Sequence, residues 1–150
     1  MINTQTIQKL RQQTGAGIMD IKKALEGANG DETKALEVLR KMGQKKAAKK
    51  QATRKTKDGV IGSYIHANAK VAALVVLSCE TDFVAKNEKF KNLAHDIAMQ
   101  VAAMSPENTS DLLNQNFIKD ESKTIQDIIN DITAKLGEKI EVNQIVKLAI

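Results

Sequence analysis

Along the first 43 residues the apolar side chains fall into short clusters, each cut off by glycine, which predicts three short helices. Ile7 and Leu10 mark the inward face of the first, which stops at Gly15-Ala16-Gly17. The second carries Ile18, Ile21, Ala24 and Leu25 and stops at Gly27–Gly30. Asp31 is placed to cap the third, which carries Ala35, Leu36, Val38, Leu39 and Met42 before Gly43. Three helices in so short a stretch form a bundle with a very small core, and short loops leave some apolar side chains free for another protein. Residues 44–57 (QKKAAKKQATRKTK) hold no large apolar residue. Ala, Lys and Gln favour helix, yet no face is available for burial, which predicts a solvated helical or flexible linker.

After Gly59 the periodicity changes. Val60–His66 reads as a strand, Ala67-Asn68-Ala69 as a turn, and Val71–Leu77 as a continuous apolar strand of the kind covered on both faces. Glu88–Met104 is an amphipathic helix, with Phe90, Leu93, Ala94, Ile97, Ala98 and Val101 at helical spacing and Ser105-Pro106 as its stop. A polar stretch runs to Lys123. Thr124 then caps a helix carrying Ile125, Ile128, Ile129, Ile132 and Leu136, ended by Gly137. The last segment alternates, which puts Ile140, Val142, Val146, Leu148 and Ile150 on one side of a strand. The expected class is α+β: a three-helix bundle at 1–43, a linker at 44–57, and at 58–150 a three-stranded, largely antiparallel sheet with helices on one face.

Composition narrows the function classes. At 150 residues the chain has room for one ordinary domain, or a modest core with a small appendage. Aromatic residues make up 3%, too few for base-stacking platforms, and a single Cys cannot form an internal disulfide, which fits a reducing compartment. No apolar run approaches the length of a membrane span, and the N-terminus shows neither a signal-peptide core nor a transit sequence. A soluble cytoplasmic protein is expected, or one of an organelle matrix where a presequence has been removed. The net charge of +5 is local: eight basic residues and no acidic one lie between Lys41 and Lys57, and the remainder is slightly acidic.

Candidate chemistry is sparse. Thr14–Gly17 follows a helix rather than a strand and lacks phosphate-loop spacing. Cys79, His66 and His95 have no metal-ligand spacing, and no nucleophilic or paired-carboxylate arrangement emerges. The most distinctive segment is Glu80-Thr81-Asp82-Phe83-Val84-Ala85-Lys86-Asn87, joining the apolar strand to the amphipathic helix. Two readings stand. Thr81 or Asp82 caps a helix and Phe83 fills core; or an acid and an aromatic project together at a corner, as a wedge suited to a pocket built around a cation and phosphates.

These residues resemble the bacterial elongation factor Ts family, nucleotide-exchange factors for elongation factor Tu. The likeness runs through Leu10-Arg11, Thr14–Leu25, Ala28–Asp31 and Leu39–Gly43, then through Thr81–Asn87, then through Phe117–Asp120 and Ser122–Thr124, in the family's order. The resemblance implies a ubiquitin-associated-like bundle at 1–43 that docks on the GTPase domain of elongation factor Tu. The docking pair would be Ile18-Met19, where the family usually has two methionines, with Arg11, Lys22 and Lys23 beside it. From pattern alone Ile18 and Met19 would be core and the three cations solvated. The resemblance further implies that Thr81, Asp82, Phe83 and Val84 disturb the magnesium site of the GTPase. No covalent chemistry and no cofactor of this chain's own are then expected, since magnesium and GDP or GTP belong to the partner.

Longer family members carry a second core module and a coiled-coil insertion where only Ser105–Asn114 stand here. One module with an apolar last strand leaves a sheet incompletely covered, so a homodimer through the sheet is expected. Asn116, where many relatives have proline, implies only a local loop difference. The rival reading is a small RNA- or ribosome-binding protein acting through the basic run, with lysine-dependent, salt-sensitive binding.

Overall fold

The computed structural model describes residues 2–150. Asn3 caps α1 (Thr4–Thr14) by accepting from the Gln5 N–H, and the helix ends at Gly15, whose φ of +70° only glycine adopts without strain. A side chain at Gly15 would also meet the backbone of Lys135 at 2.8 Å. α2 (Ile18–Gly27) follows, and then α3 (Glu32–Thr53), where the Asp31 carboxylate accepts from the Thr33 and Lys34 N–H groups. Leu10, Ile21, Ala24, Leu25, Ala35 and Leu39 close a first core among these three helices.

α3 does not stop at Gly43. It continues through most of the expected linker to Thr53, about 33 Å in all at 1.5 Å per residue. Gly43 is a contact point rather than a terminator: a Cβ there would lie 3.3 Å from that of Ala134. The expectation that 44–57 can bury no face also needs correction. Ala47 is fully buried, and on the same face Gln44 donates to the Asp131 carboxylate (2.8 Å) and accepts from the Asn130 amide (3.0 Å). One turn on, Gln51 donates to the Ile140 carbonyl at 2.7 Å. Burial here needs no large apolar side chain, because each amide brought inside finds a partner.

The second core is built from β1 (Asp58–Ile65), β2 (Val71–Cys79), the single turn α4 (Asp82–Ala85), α5 (Glu88–Met104), α6 (Thr109–Asn114), the short β3 (Asn116–Phe117) and β4 (Asp120–Thr124), α7 (Ile125–Leu136) and β5 (Glu141–Ala149). β1, β2 and β5 form an antiparallel sheet in the order β1-β2-β5, while β3 and β4 pair separately in and just beyond the polar stretch before α7. The apolar stripe of α5 covers one sheet face, meeting Ala73, Val75, Leu77 and Cys79. Buried Gln100 on α5 fixes the β3 region by donating to the Asn116 carbonyl and accepting from the Ile118 N–H, both at 3.0 Å. Thr124 and Asp127 form a reciprocal capping box at the start of α7, and Gly137 ends it.

Two expectations about the sheet change. No element among the described residues covers the outer face of β2, where Leu74 is 47% exposed. The alternation of β5 also breaks. Its pairing steps from Val76↔Gln144 to Leu77↔Val142, so Asn143 is an extra residue. A one-residue bulge reverses facing, leaving Ile140, Val142 and Ile145 inward while Val146 and Leu148 join the exposed face.

Candidate functional site

β2 ends at Cys79, and the chain turns through Glu80 and Thr81 into the single helical turn of α4 before α5 begins. Val84 and Ala85 are buried in the main core, whereas Phe83, between them and Asp82, is 83% exposed. An aromatic ring left this bare on a turn whose next two residues are anchored is not core filling. That alternative reading of Phe83 is overturned. Val84, by contrast, is buried and holds the turn down.

The electrostatics of the turn are local. The Lys86 ammonium donates to the Asp82 carboxylate at 2.8 Å, four residues apart on the helical path. That hydrogen bond and the lysine's charge hold the Asp82 carboxyl below its usual range, and Asp82 in return raises Lys86. Asp82 therefore stays ionised at neutral pH. Thr81 occupies the N-cap position with extended backbone, but its side chain caps nothing. Its hydroxyl instead donates to Glu138 at 2.8 Å, and the same carboxylate accepts from the Thr81 N–H (3.0 Å) and the Glu80 N–H (3.2 Å). Sequence reasoning singled out neither Glu138 nor this contact, which joins residues 57 positions apart. Behind the turn lies Cys79, its thiol pushed up to about 11 by burial and then by the Glu138 and Asp58 carboxylates. It is a packed, protonated thiol at neutral pH, donating to the Thr81 carbonyl.

The other candidate residues sit on the bundle. Ile18 and Met19 open α2 and are 46% and 64% exposed, so the reading of them as core falls. Lys22 and Lys23 follow them on α2, and Arg11 lies in the last turn of α1; all three are exposed. No hydrogen bond or ion pair among the described residues joins these five to Thr81–Val84. What connects the two groups is α3, which starts in the bundle, packs along α7, and ends with Arg54 beside Glu80.

Among the described residues no group of three or more His, Cys, Asp or Glu side chains is arranged to hold a metal ion. No helix among them is long and apolar enough to cross a membrane. His95 makes an ordinary packing contact, its Nδ1 lying 2.9 Å from the Ser63 carbonyl.

A family profile described as elongation factor Ts matches residues 80–150, just under half of the chain and beginning at this corner. The chain is 42% identical to elongation factor Ts of Thermosipho melanesiensis, over 100% of this chain and 99% of that protein. It is 41% identical to elongation factor Ts of Fervidobacterium nodosum (99% and 98% covered) and 39% identical to that of Thermotoga maritima (99% and 96%). The first alignment runs over 195 positions against 150 residues here, so the relative carries positions that this chain lacks. With such identity spanning both the bundle and the corner, the chain belongs to the elongation factor Ts family of translation elongation factors.

Proposed function

We propose that this protein is a guanine-nucleotide exchange factor for elongation factor Tu, docking through the bundle and releasing GDP through the Phe83 turn. The observation that carries the reading is the bare Phe83 ring on an anchored turn, beside an ionised Asp82. A GTPase grips its nucleotide through Mg²⁺ and backbone N–H groups around the phosphates. A ring inserted beside that site, with a fixed negative charge next to it, displaces the supports without making or breaking a bond. The chain supplies no cofactor: the Mg²⁺ and nucleotide are the partner's. Exchange is then a matter of differential affinity. The factor binds the nucleotide-free GTPase more tightly, and by linkage nucleotide weakens the factor's own binding by the same ratio, which lets GTP expel it. Ile18 and Met19, exposed at the start of α2, supply the apolar anchor for docking, and the exposed Lys22 and Lys23 of the same helix and Arg11 in the last turn of α1 supply its cationic rim. The direct test is GDP release from elongation factor Tu with and without this chain. Acceleration that saturates with concentration supports the reading; an unchanged rate at concentrations where the two bind overturns it.

The bare sheet face fits a second copy of this chain. The register sets Ser63, Leu74 and Val146 in one row and Ile65, Ala72 and Leu148 in the next, with Ile61 and Val76 beyond. Ile61, Ile65 and Leu148 are each more than two-thirds exposed, an apolar stripe across all three strands. A two-fold axis through such a face sets like against like and covers it in both copies at once. Sedimentation should show a dimer at micromolar concentration and a monomer for Leu74→Lys; a wild-type monomer would contradict it.

A further inference from the structure

We propose that Glu138, in the loop between α7 and β5, is a positioning residue that sets the orientation of the Phe83 turn. The proposal rests on the exchange reading above and names what aims its wedge. A four-residue helical turn cannot hold its own conformation, because the first hydrogen-bonded turn fixes several residues for very little return. Val84 and Ala85 anchor its far end by burial. At its near end Thr81 gives up the usual capping role and turns its hydroxyl to Glu138. One Glu138 oxygen takes the N–H groups of Glu80 and Thr81, and the other takes the Thr81 hydroxyl, so a single carboxylate fixes both backbone and side chain where the strand becomes the turn. These are charge-assisted bonds, the stronger kind.

The exchange is mutual. Glu80 Oε1 accepts from the Lys139 N–H at 2.8 Å, so each of two adjoining segments lends a glutamate to the other's backbone. Arg54, just past the end of α3, adds a third segment: its Nη1 lies 3.4 Å from both Glu80 oxygens and 3.3 Å from the Gly137 carbonyl. Three stretches far apart in sequence therefore meet directly behind the wedge. Phe83 itself contributes nothing to holding its place, being almost wholly exposed. Its direction is inherited from residue 81, and residue 81 is held by Glu138.

The test uses the full chain, with GDP release from elongation factor Tu followed as a function of factor concentration. Glu138→Ala should lower the maximal release rate about tenfold, the effect of losing bonds to a charged group, with half-saturation within about twofold. Glu138→Gln should restore most of it, because the amide oxygen still accepts from both N–H groups. The decisive readout is the double variant. In a Phe83→Ala background Glu138→Ala should cost less than about twofold, since there is no ring left to aim. A wild-type rate for Glu138→Ala, an equal loss in both backgrounds, or a shift in half-saturation matching the shift in rate would each overturn the proposal. If Glu138→Ala does not fold, Thr81→Val, which removes only the hydroxyl, must show the same dependence on Phe83. Should Phe83→Ala alone leave release unchanged, the exchange reading fails and this inference with it. A normal Phe83 effect without a Glu138 effect removes this inference only.

Discussion

The two sites proposed to meet the GTPase are held in place by different means. Ile18 and Met19 open a ten-residue helix that buries Ile21, Ala24 and Leu25 farther along in the bundle core. Their position follows from apolar packing within a single local unit. Phe83 rides on a single turn with two buried anchors, and the rest of its restraint is polar and long-range: Glu138, Glu80 and Arg54, drawn from three segments. A docking surface needs only to present apolar area in roughly the right place. A wedge must arrive at one angle, and directional hydrogen bonds fix an angle where packing alone fixes a neighbourhood.

If the two sites do separate work, substitutions should separate cleanly. The largest expected effect is Phe83→Ala, about a thirtyfold fall in the maximal GDP-release rate, the scale of a lost hot-spot aromatic, with melting temperature unchanged because the ring is not core. Met19→Ala should raise the half-saturating concentration about tenfold and leave the plateau alone. Ala47→Lys attacks the connection rather than either end. A charge forced into a fully buried position between α3 and α7 should cost about 2 kcal/mol of stability and weaken half-saturation severalfold, read by chemical denaturation and by titration. The smallest effect is that of pH. The Asp82 carboxyl is depressed by Lys86, so its charge is lost only as pH falls through a value below the ordinary carboxylate range. The plateau should therefore change less than about twofold between about pH 6 and 8 on account of this group. A steep acid loss within that window would show that Asp82 is not the carboxylate that matters. As a structural check on the same corner, Cys79, buried and raised to about 11, should resist thiol alkylation at neutral pH until the protein unfolds.

How much of this was legible in the sequence depended on the range of the interaction. The α5 stripe, the Asp31 cap and the Thr124 cap declare themselves within a few residues, and each stands where the pattern puts it. The continuation of α3 was hidden because its buried face is made of Gln44, Ala47 and Gln51, which carry no hydrophobic signal. The reversal of β5 was hidden because one unpaired residue, Asn143, undoes an otherwise even alternation. At the candidate site the motif drew attention to Thr81–Val84, but pattern alone left Phe83 open between core and surface and put Met19 in the core. Their exposure decides both, and it also divides the motif, with Val84 as anchor and Phe83 as projection. Glu138 was invisible for a simpler reason: an acid in a polar loop looks like any other until the fold brings Thr81 to it.

The division of labour between bundle and corner is tested most directly by one titration. GDP release from elongation factor Tu is measured against increasing concentrations of the wild-type chain, Met19→Ala and Phe83→Ala. The account predicts a saturable acceleration by the wild type, a shifted midpoint with the same plateau for Met19→Ala, and a lowered plateau with the same midpoint for Phe83→Ala. Midpoint and plateau moving together in both variants, or no acceleration by the wild type, would contradict it.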